Sequence, residues 1–503
     1  MSKPIPFEIR DFSGGNSTIV RGVPTSLAQN VTNFDIYSDP HKLAPLRDLE
    51  NGDSAASTST KKNFTMAYWS STPSWRLFSL GVVSGSGKAE ILMKTLGTGG
   101  SNDLGDSGWA TPANNQSASG STSFNLFTFY KKTGKIYGAK AGTTIWTFTP
   151  DGSTAFDDSH HALAYTNIAN GLVKNNILWI PYDNKIASLN DTTWTDVALT
   201  LPEEFYITSI CDYGNFIAIA AAPLNSAGNS RVYIWDMDSA LSEMPQTVDW
   251  GTGQLKILDN LGGLLVGVSL DAGQNKIEDK IVFRYLSGSY AKIFRKLSAS
   301  STTAVLPIVK QVINGRLYFL LSGTFNGTAR SGLWSVGMTD AGNYSISQER
   351  YVDNSGTTTN IVLFSFAIVG DYVFISYTDN STFTTNKSND QASYTATSLY
   401  ETVKLDMGDP DITKKLLGVT VMTEPLPAAG SYTLKYRKDA ESSWTTIFTH
   451  ATDDSISHDA INIESTGVTL PEFKEIQFRI ESTGGAVITG LKGKVQVTEK
   501  TLY

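Results

Sequence analysis

A unit of short β-strands repeats along most of the chain, and no other feature restricts the fold as strongly. Each copy contains a strand, a turn with Gly or Asn, a second and strongly apolar strand, and a third strand that often carries an aromatic residue. About 50 residues separate successive copies, which is the spacing of four-stranded propeller blades. Seven copies are recognisable, at residues 74–96, 130–152, 172–199, 210–238, 257–286, 311–338 and 367–406.

The repeat predicts an all-β protein in which residues 62–410 form a β-propeller of about seven blades, with six or eight also compatible. A single blade cannot bury both faces of its sheet, whereas blades in a ring bury them against each other. The second strands, such as RLYFLL at 316–321, are nearly continuous apolar runs, as expected of strands covered on both faces. We therefore expect four side chains in these runs to be buried: Ile219, Val266, Leu320 and Phe374. Residues that accept positive φ precede the runs, at Gly134, Asn175, Gly214, Gly262, Gly315 and Gly370.

The pattern changes towards both ends of the chain. Residues 411–503 contain segments that alternate apolar and polar side chains, such as YTLKYRKD at 432–439, and they predict a small β-sandwich. Residues 1–61 contain one short strand, a Gly-Gly pair and several Pro, which predicts an arm and a linker without a core of their own. The polar segments 51–62 and 114–123 are expected to be mobile loops.

Composition excludes several classes of protein. The net charge of −8 argues against a general affinity for the phosphates of nucleic acid. Cys211 is the only cysteine, so neither an intrachain disulfide nor a zinc site of thiolates can form. The start of the chain, MSKPIPFEIRDF, lacks the apolar core of a signal peptide, and no apolar run reaches the roughly 18 residues of a membrane helix. We therefore expect a protein made in the cytoplasm that does not insert into membranes.

Two acidic segments could carry chemistry, and each has a simpler interpretation. The segment DDSHH at 157–161 contains metal-ligating residue types, but adjacent residues of a loop seldom converge on one ion, so we expect a solvated loop. The pair Glu203–Glu204 is expected to be surface charge rather than a pair of catalytic carboxylates.

Two further features resemble known motifs only in part, and a third is the single cysteine. Trp235–Asp236 matches the WD dipeptide of some propellers, but its partner motif does not recur, so a packed strand end is expected. NDTTWTDV at 190–197 resembles half of a sialidase Asp-box without its spacing. Cys211 is expected to be a buried structural thiol. Without a nucleophile motif, a phosphate loop or a zinc motif, the sequence predicts no catalytic site, no cofactor and no metal.

Residues 11–48 resemble the start of many tailed-bacteriophage virion proteins. Those proteins begin with a Phe-x-Gly-Gly arm, a link containing Pro, a strand containing Asn and a turn towards an Arg-containing segment. The matching residues here are Phe12, Gly14, Gly15, Pro24, Asn30, Asn33, Asp35 and Arg47. The carboxyl end looks like the small β-domain that closes such proteins. Its matching residues are Tyr432, Leu434, Tyr436, Arg437, Trp444 and Thr445.

This resemblance implies a non-enzymatic structural component of a bacteriophage virion, similar to the β-propeller tail nozzle (tail tubular) proteins. It implies a tail nozzle, hub or head–tail connector built as a ring of identical subunits, expected to be a hexamer, around the DNA exit channel. Its partners would be other tail or connector proteins, and double-stranded DNA would pass without specific binding. The protein would be located in the virion tail after assembly in the host cytoplasm.

The amino-terminal arm then has two possible functions. It could lie across a neighbouring subunit or add a strand to an exposed sheet edge, or it could supply a strand that closes its own propeller. Two other functions remain open for the whole protein. One is a tail adsorption protein that binds a receptor or glycan, and the other is a propeller glycosidase or lyase.

Overall fold

The computed structural model describes an all-β chain, without a helix in the residues that it describes. Those residues are 4–16, 21–22, 26–51, 63–70, 74–83, 88–94, 109–117, 122–140, 142–225, 228–240, 246–271, 279–299, 309–325, 328–339, 344–352, 361–370, 372–379, 382–388, 392–394, 397–451 and 471–499. The all-β prediction is confirmed.

The strands are numbered in chain order. The first 22 are β1 Ile5–Ile9, β2 Gly15–Asn16, β3 Arg21–Gly22, β4 Leu27–Thr32, β5 Phe34–Asp35, β6 Ala44–Pro45, β7 Glu50–Asn51, β8 Asn63–Trp69, β9 Ser74–Val82, β10 Ala89–Lys94, β11 Thr122–Tyr130, β12 Lys135–Lys140, β13 Thr144–Phe148, β14 Asp157–Ala162, β15 Leu172–Lys174, β16 Ile177–Tyr182, β17 Lys185–Asn190, β18 Thr193–Thr200, β19 Phe205–Tyr213, β20 Phe216–Pro223, β21 Asn229–Trp235 and β22 Gln246–Thr252.

The others are β23 Gln254–Leu261, β24 Leu264–Asp271, β25 Asp279–Ser287, β26 Tyr290–Ala299, β27 Lys310–Ile313, β28 Arg316–Leu321, β29 Thr324–Phe325, β30 Thr328–Ala329, β31 Gly332–Met338, β32 Tyr344–Tyr351, β33 Ile361–Val369, β34 Tyr372–Asp379, β35 Thr382–Ser388, β36 Ser398–Thr402, β37 Lys404–Leu405, β38 Thr413–Thr423, β39 Ser431–Lys438, β40 Thr445–His450, β41 Glu472–Phe473, β42 Ile476–Thr483 and β43 Ile488–Glu499.

The chain forms two compact units. Unit 1 comprises Met1–Leu49, Leu333–Tyr351 and Ala392–Tyr503, and unit 2 comprises Glu50–Gly332 and Val352–Gln391. This division differs from the three segments expected from the sequence, which were 1–61, 62–410 and 411–503. The amino-terminal segment belongs with the carboxyl-terminal strands because it pairs with them and shares their core.

Within the described residues, unit 2 contains seven antiparallel groups of strands. We call them sheets 1 to 7: β8–β10, β11–β14, β15–β18, β19–β22, β23–β26 with β29 and β30, the hairpin β27–β28, and β33–β35 with β7. Sheets 2, 3 and 4 are complete four-stranded meanders. In sheet 7, the strand β7 pairs with β35, so a strand that precedes sheet 1 in the sequence completes the last sheet.

Consecutive sheets of unit 2 pack on each other mainly through their first strands. The contacts run from β8 to β11, from β15 and β16 to β19, from β19 to β23, from β23 to β27 and β28, and from β28 to β33. Sheets 2 and 3 share one apolar cluster. Strand β33 also packs against β8, so sheet 7 contacts sheet 1.

The expected core of these sheets is confirmed. Ile219, Val266 and Leu320 are fully buried, and Phe374 is 1% exposed. The turns before these strands have positive φ, as expected, from 53° at Asn175 to 73° at Gly315. Antiparallel hairpins with right-handed twist favour such turns, which is why Gly and Asn recur there.

Two local expectations about this part of the chain are wrong. The third strand of the seventh copy is β35, whereas residues 398–405 form β36 and β37 of unit 1. Of the expected loop at 114–123, residues 114–117 are packed beside β10, where Ile91 N donates to Asn115 O at 2.9 Å. Residues 118–121, like 52–62, lie outside the described residues.

Within the described residues, unit 1 has two main sheets around one core, and β5 and β6 form a separate two-stranded sheet. Sheet A has the order β1-β43-β38-β41, and sheet B contains β32-β4-β36-β42 with β39 and β40 beside β42. Strand β1 pairs antiparallel with β43, and β4 pairs with β36. Phe7 of β1 stacks on Phe478 of β42, with ring centroids 5.6 Å apart, so aromatic rings from the two sheets meet in the core.

Candidate functional site

The residues that carry the resemblance at the amino end all lie in unit 1, apart from Pro24, which is outside the described residues. Phe12 is fully buried and its ring contacts Tyr400 edge-on, with centroids 5.2 Å apart. A Cβ on Gly14 would lie 2.5 Å from the backbone of Ser26, and one on Gly15 would lie 2.5 Å from Ile346 O. Only Gly fits at these two positions, because a real Cβ does not approach backbone atoms so closely.

The polar residues of the same motif bond backbone atoms or pack on side chains of the later segments. Asn33 has φ of 59°, its N–H donates to Gln348 O at 3.0 Å, and its Oδ1 accepts from Tyr351 N at 2.9 Å. The guanidinium of Arg47 donates to Ala392 O at 2.7 Å and lies over the ring of Tyr394. These residues therefore fix the amino-terminal segment to strands far away in the sequence.

The remaining polar residues of the motif have local functions. Asp35 Oδ1 accepts from Tyr37 N at 2.9 Å, which stabilises the turn after β5. Asn30 is fully buried in β4, and its Oδ1 accepts from Thr32 Oγ1 at 3.0 Å.

The carboxyl-terminal residues of the resemblance build sheet B. Tyr432 and Leu434 of β39 are fully buried in the core of unit 1, and Tyr436 packs partly against it. The ring of Trp444 is covered by two guanidinium groups, that of Arg437 at 4.5 Å and that of Arg479 at 4.2 Å. Thr445 begins β40.

Polar side chains in or next to the first strands connect neighbouring sheets in unit 2. They bond the backbone of a neighbouring sheet, where backbone groups need hydrogen-bond partners. The bonds are Asn63 Nδ2 to Phe124 O at 2.7 Å, Phe127 N to Asn170 Oδ1 at 2.9 Å, Thr208 Oγ1 to Leu255 O at 2.7 Å, Asn260 Nδ2 to Asp212 O at 3.1 Å and Gln311 Nε2 to Ile368 O at 2.7 Å.

A cavity of about 270 Å³ lies among these strands and is the candidate site of unit 2. Its walls include Ser209, Cys211 and Asp212 of β19, Asp259 of β23 and Lys310 of β27. Lys310 Nζ donates to Ile210 O at 2.9 Å and to Leu258 O, and it forms an ion pair with Asp259 at 3.1 Å. One ammonium group thus uses its three protons to hold three strands together.

A second lysine neutralises the other carboxylate of the cavity. Lys174 Nζ forms an ion pair with Asp212 and donates to Gly214 O at 2.6 Å, and its side chain is 5% exposed. Each carboxylate that lines the cavity is therefore paired with an ammonium group.

The Lys310→Met variant is expected to lower the free energy of unfolding by roughly 2–4 kcal/mol, because it leaves Asp259 charged, largely buried and without its partner. Urea denaturation of the wild type and the variant measures this difference. The double variant Lys310→Met/Asp259→Leu is the matched control and should recover part of the loss, because it removes both charges. An unchanged stability in Lys310→Met would show that the ammonium group does not hold these strands together.

The segment at 157–161 is strand β14 rather than the expected loop. His160 Nδ1 contacts Asp157 Oδ2 at 2.9 Å, and His161 Nε2 contacts Asp196 Oδ1 of β18 at 2.7 Å. The ring of His161 stacks on Trp194 at 4.0 Å, so the half Asp-box joins sheets 2 and 3. Asp is depleted in strands, yet this segment pairs with β13. Within the described residues, no three His, Cys, Asp or Glu side chains cluster as metal ligands.

Two other sequence predictions are confirmed. Glu203 and Glu204 are exposed in a turn. Trp235 is 1% exposed at the end of β21, and its Nε1 donates to Ser239 O at 2.9 Å, while Asp236 caps the following turn by accepting from Ser239 N at 2.8 Å.

Cys211 is buried, as expected, and burial raises the pKa of its thiol to about 12. The thiol is therefore protonated at neutral and mildly alkaline pH, and thiolate is the reactive form. We expect no reaction with Ellman's reagent at pH 8 in the native state and one reacting thiol per chain in denaturant. Rapid stoichiometric reaction without denaturant would contradict this burial.

No known protein family matches the sequence. No curated protein matches it either. Among solved structures, the N-terminal domain of Nup159 is similar, with 9% identity and a TM-score of 0.40 over 74% of this chain and 99% of that domain. Exo-β-1,3-galactanase from Phanerochaete chrysosporium has 10% identity and a TM-score of 0.31 over 89% of this chain and all of its own. Scores this low carry no argument about function. The described residues include no helix long and apolar enough to cross a membrane.

Proposed function

We propose that the protein is a non-enzymatic structural component of a bacteriophage virion, acting as a tail nozzle, hub or head–tail connector. In this proposal unit 2 is a seven-bladed β-propeller and unit 1 is a β-sandwich. Identical subunits form a ring, expected to be a hexamer, that contacts other tail proteins and surrounds the DNA exit channel. The net charge of −8 per subunit would reduce adhesion of the passing phosphates.

The observation that carries this proposal is the position of the residues that resemble tail proteins. Gly14 and Gly15 permit close backbone approach, Asn33 bonds β32, and Arg47 bonds the backbone of Ala392. The residues therefore act together to make one unit from the two ends of the chain. If this chain and the tail proteins share an architecture in which the two ends form one unit, the same residues are needed at both termini, which would explain the resemblance.

Two contacts support the ring of blades. Strand β33 packs on β8, which brings the last sheet of unit 2 to the first. Strand β7 adds to sheet 7 from the sequence before sheet 1, as residues 50 and 51 pair with 387 and 386. Such a strand closes a propeller, because the two chain ends of the ring then lie in one sheet. A strand that closes the chain's own propeller was one of the two functions expected for the amino-terminal segment.

The cavity of unit 2 supports a structural function over glycosidase or lyase activity. A glycosidase needs one carboxyl group that donates a proton and another that acts as base or nucleophile. Asp212 and Asp259 are instead each held by a lysine, and Lys310 also bonds two backbone carbonyls. Their contacts stabilise the packing of the first strands.

Immunogold electron microscopy of the phage particles tests the proposed location, since antibodies against unit 2 should label the tail. Sedimentation velocity with the cognate tail partner should show a ring of identical subunits. Absence of the protein from purified virions would refute the proposal. Polysaccharide hydrolysis that one Asp or Glu substitution abolishes would favour the enzyme instead.

One observation favours a glycan-binding adsorption protein as a second candidate. Trp75 is 50% exposed and Tyr68 is 39% exposed, and their rings are edge-to-face at 5.9 Å on neighbouring strands of sheet 1. Exposed aromatic rings with a polar edge are common at binding surfaces. A glycan array with the wild type and the Trp75→Ala variant distinguishes this candidate, because binding lost only in the variant would support it.

A further inference from the structure

A groove of about 750 Å³ lies on sheet A of unit 1, and none of the functions described above uses it. Strand β1, with Pro6 and Glu8, and the preceding Pro4 form one side. Lys492 and Lys494 of β43 line it, and β38 contributes the other side. The register of β38 against β43 shifts between Leu416 and Gly418, and such a bulge bends a strand locally. Gly418 also has no side chain to fill the space.

The groove carries two positive charges that have no partner in the described part of the chain. Lys492 and Lys494 are exposed and form no ion pair there. Glu8, which also lines the groove, is already paired with Arg10 at 2.6 Å. The chain as a whole has a net charge of −8, so these lysines form a positive surface on a chain that is acidic overall. Opposite potentials favour contact between two different surfaces of identical chains.

One acidic turn of the same unit is complementary in charge to these lysines. Lys492 and Lys494 are two positions apart on a strand, so their side chains point to one side, roughly 7 Å apart. Asp409 and Asp411 are also two positions apart, in the turn before β38, and neither forms an ion pair within the described residues.

Hydrogen bonds hold this turn in its shape. Asp409 Oδ1 accepts from Asp411 N at 3.0 Å, and Asp406 Oδ1 accepts from Gly408 N at 2.8 Å. The ammonium of Lys414 donates to the carbonyl oxygens of Asp409 and Ile412. The turn therefore presents its carboxylates at little further cost in conformational entropy.

We propose that the groove on sheet A receives the acidic turn, residues 406–411, of a second copy of the chain. Lys492 and Lys494 of one subunit then face Asp409 and Asp411 of the next. Groove and turn are different surfaces, so the contact is heterologous, and a heterologous contact closes into a ring when its rotation permits. This inference rests on the proposed function, since it names the contact between subunits of the ring.

Charge reversal tests this contact. The variants Lys492→Glu/Lys494→Glu and Asp409→Lys/Asp411→Lys are each expected to weaken self-association at least about tenfold, because like charges would then face each other. A chain with all four substitutions should regain most of the wild-type association. Sedimentation velocity over a range of concentrations measures it, and roughly 0.5 M salt should weaken the wild-type contact because it screens exposed charges.

The matched control is Lys292→Glu/Lys296→Glu, which makes the same change in charge at exposed positions of β26 in unit 2. It should associate like the wild type, and circular dichroism should show that every variant is folded. A monomeric wild type, unaffected association in the reversed variants, or no recovery in the chain with four substitutions would overturn the proposed contact. Rings that form through the groove but are absent from virions would refute the proposed function and leave the contact standing.

Discussion

Deleting residues 1–30 is expected to abolish the cooperative unfolding transition of unit 1. The deletion removes β1, which pairs with β43, and most of β4, which pairs with β36. It also removes Phe7, Ile9 and Phe12 from the core. Each loss of a large buried side chain costs about 2–5 kcal/mol, and a domain has only about 5–15 kcal/mol in total, so the remainder cannot stay folded.

Limited proteolysis with mass spectrometry measures this effect. We expect new cleavage sites in residues 413–450 and 471–499, while unit 2, which has separate apolar clusters, remains resistant. The control Glu8→Gln/Arg10→Gln changes only an exposed ion pair of the same segment and should cost no more than about 1 kcal/mol. If the truncated chain kept the wild-type cleavage pattern, the amino-terminal segment would be dispensable for unit 1, as a free arm would be.

The partner of the amino-terminal segment could not be predicted from the sequence. Alternation shows that a strand such as β1 has one buried face, but it does not show which strand lies beside it. Its partner β43 lies almost 500 positions later in the sequence. The residues around β1 do not specify a partner at such a separation. The same limit explains β36, whose apolar pattern suited the seventh copy of the repeat equally well, although it pairs with β4.

The repeat of unit 2 was predictable because its signals are local. Turns with positive φ at residues such as Gly315, followed by apolar runs, specify hairpins within about ten residues. The buried positions Ile219 and Leu320 follow directly from those runs. The hairpins of one sheet are thus specified by adjacent sequence. The expected number of blades was taken from the same pattern.

The candidate cavity was not predictable, since its polar residues look like surface residues in the sequence. Lys310 and Asp259 begin or interrupt apolar strands, where a charged residue usually faces solvent. Only the packing of sheet on sheet places them together and opposite backbone carbonyls. The acidic turn and the lysines of the groove were not predictable for the same reason. In the sequence each looks like an ordinary charged surface segment, and only the fold determines which residues lie beside it.

The Phe374→Ala variant is expected to lower the free energy of unfolding of unit 2 by about 3–5 kcal/mol, the range for a buried Phe. Phe374 lies in sheet 7 and is part of an apolar cluster that includes Phe64 and Leu77 of sheet 1. Trp109 lies between them, with its ring 6.0 Å from that of Phe374 and 5.8 Å from that of Phe64. This cluster joins the last sheet to the first.

Urea denaturation followed by tryptophan fluorescence measures the loss, and Val362→Ala is the matched control because Val362 is 50% exposed in the same sheet. The control should change the stability by no more than about 0.5 kcal/mol. If the seven sheets form a closed ring, Phe64→Ala and Phe374→Ala act on one contact through Trp109, so their costs should not add in the double variant. Strictly additive costs would mean that the two rings stabilise separate parts of unit 2, and a neutral Phe374→Ala would mean that sheet 7 does not close on sheet 1.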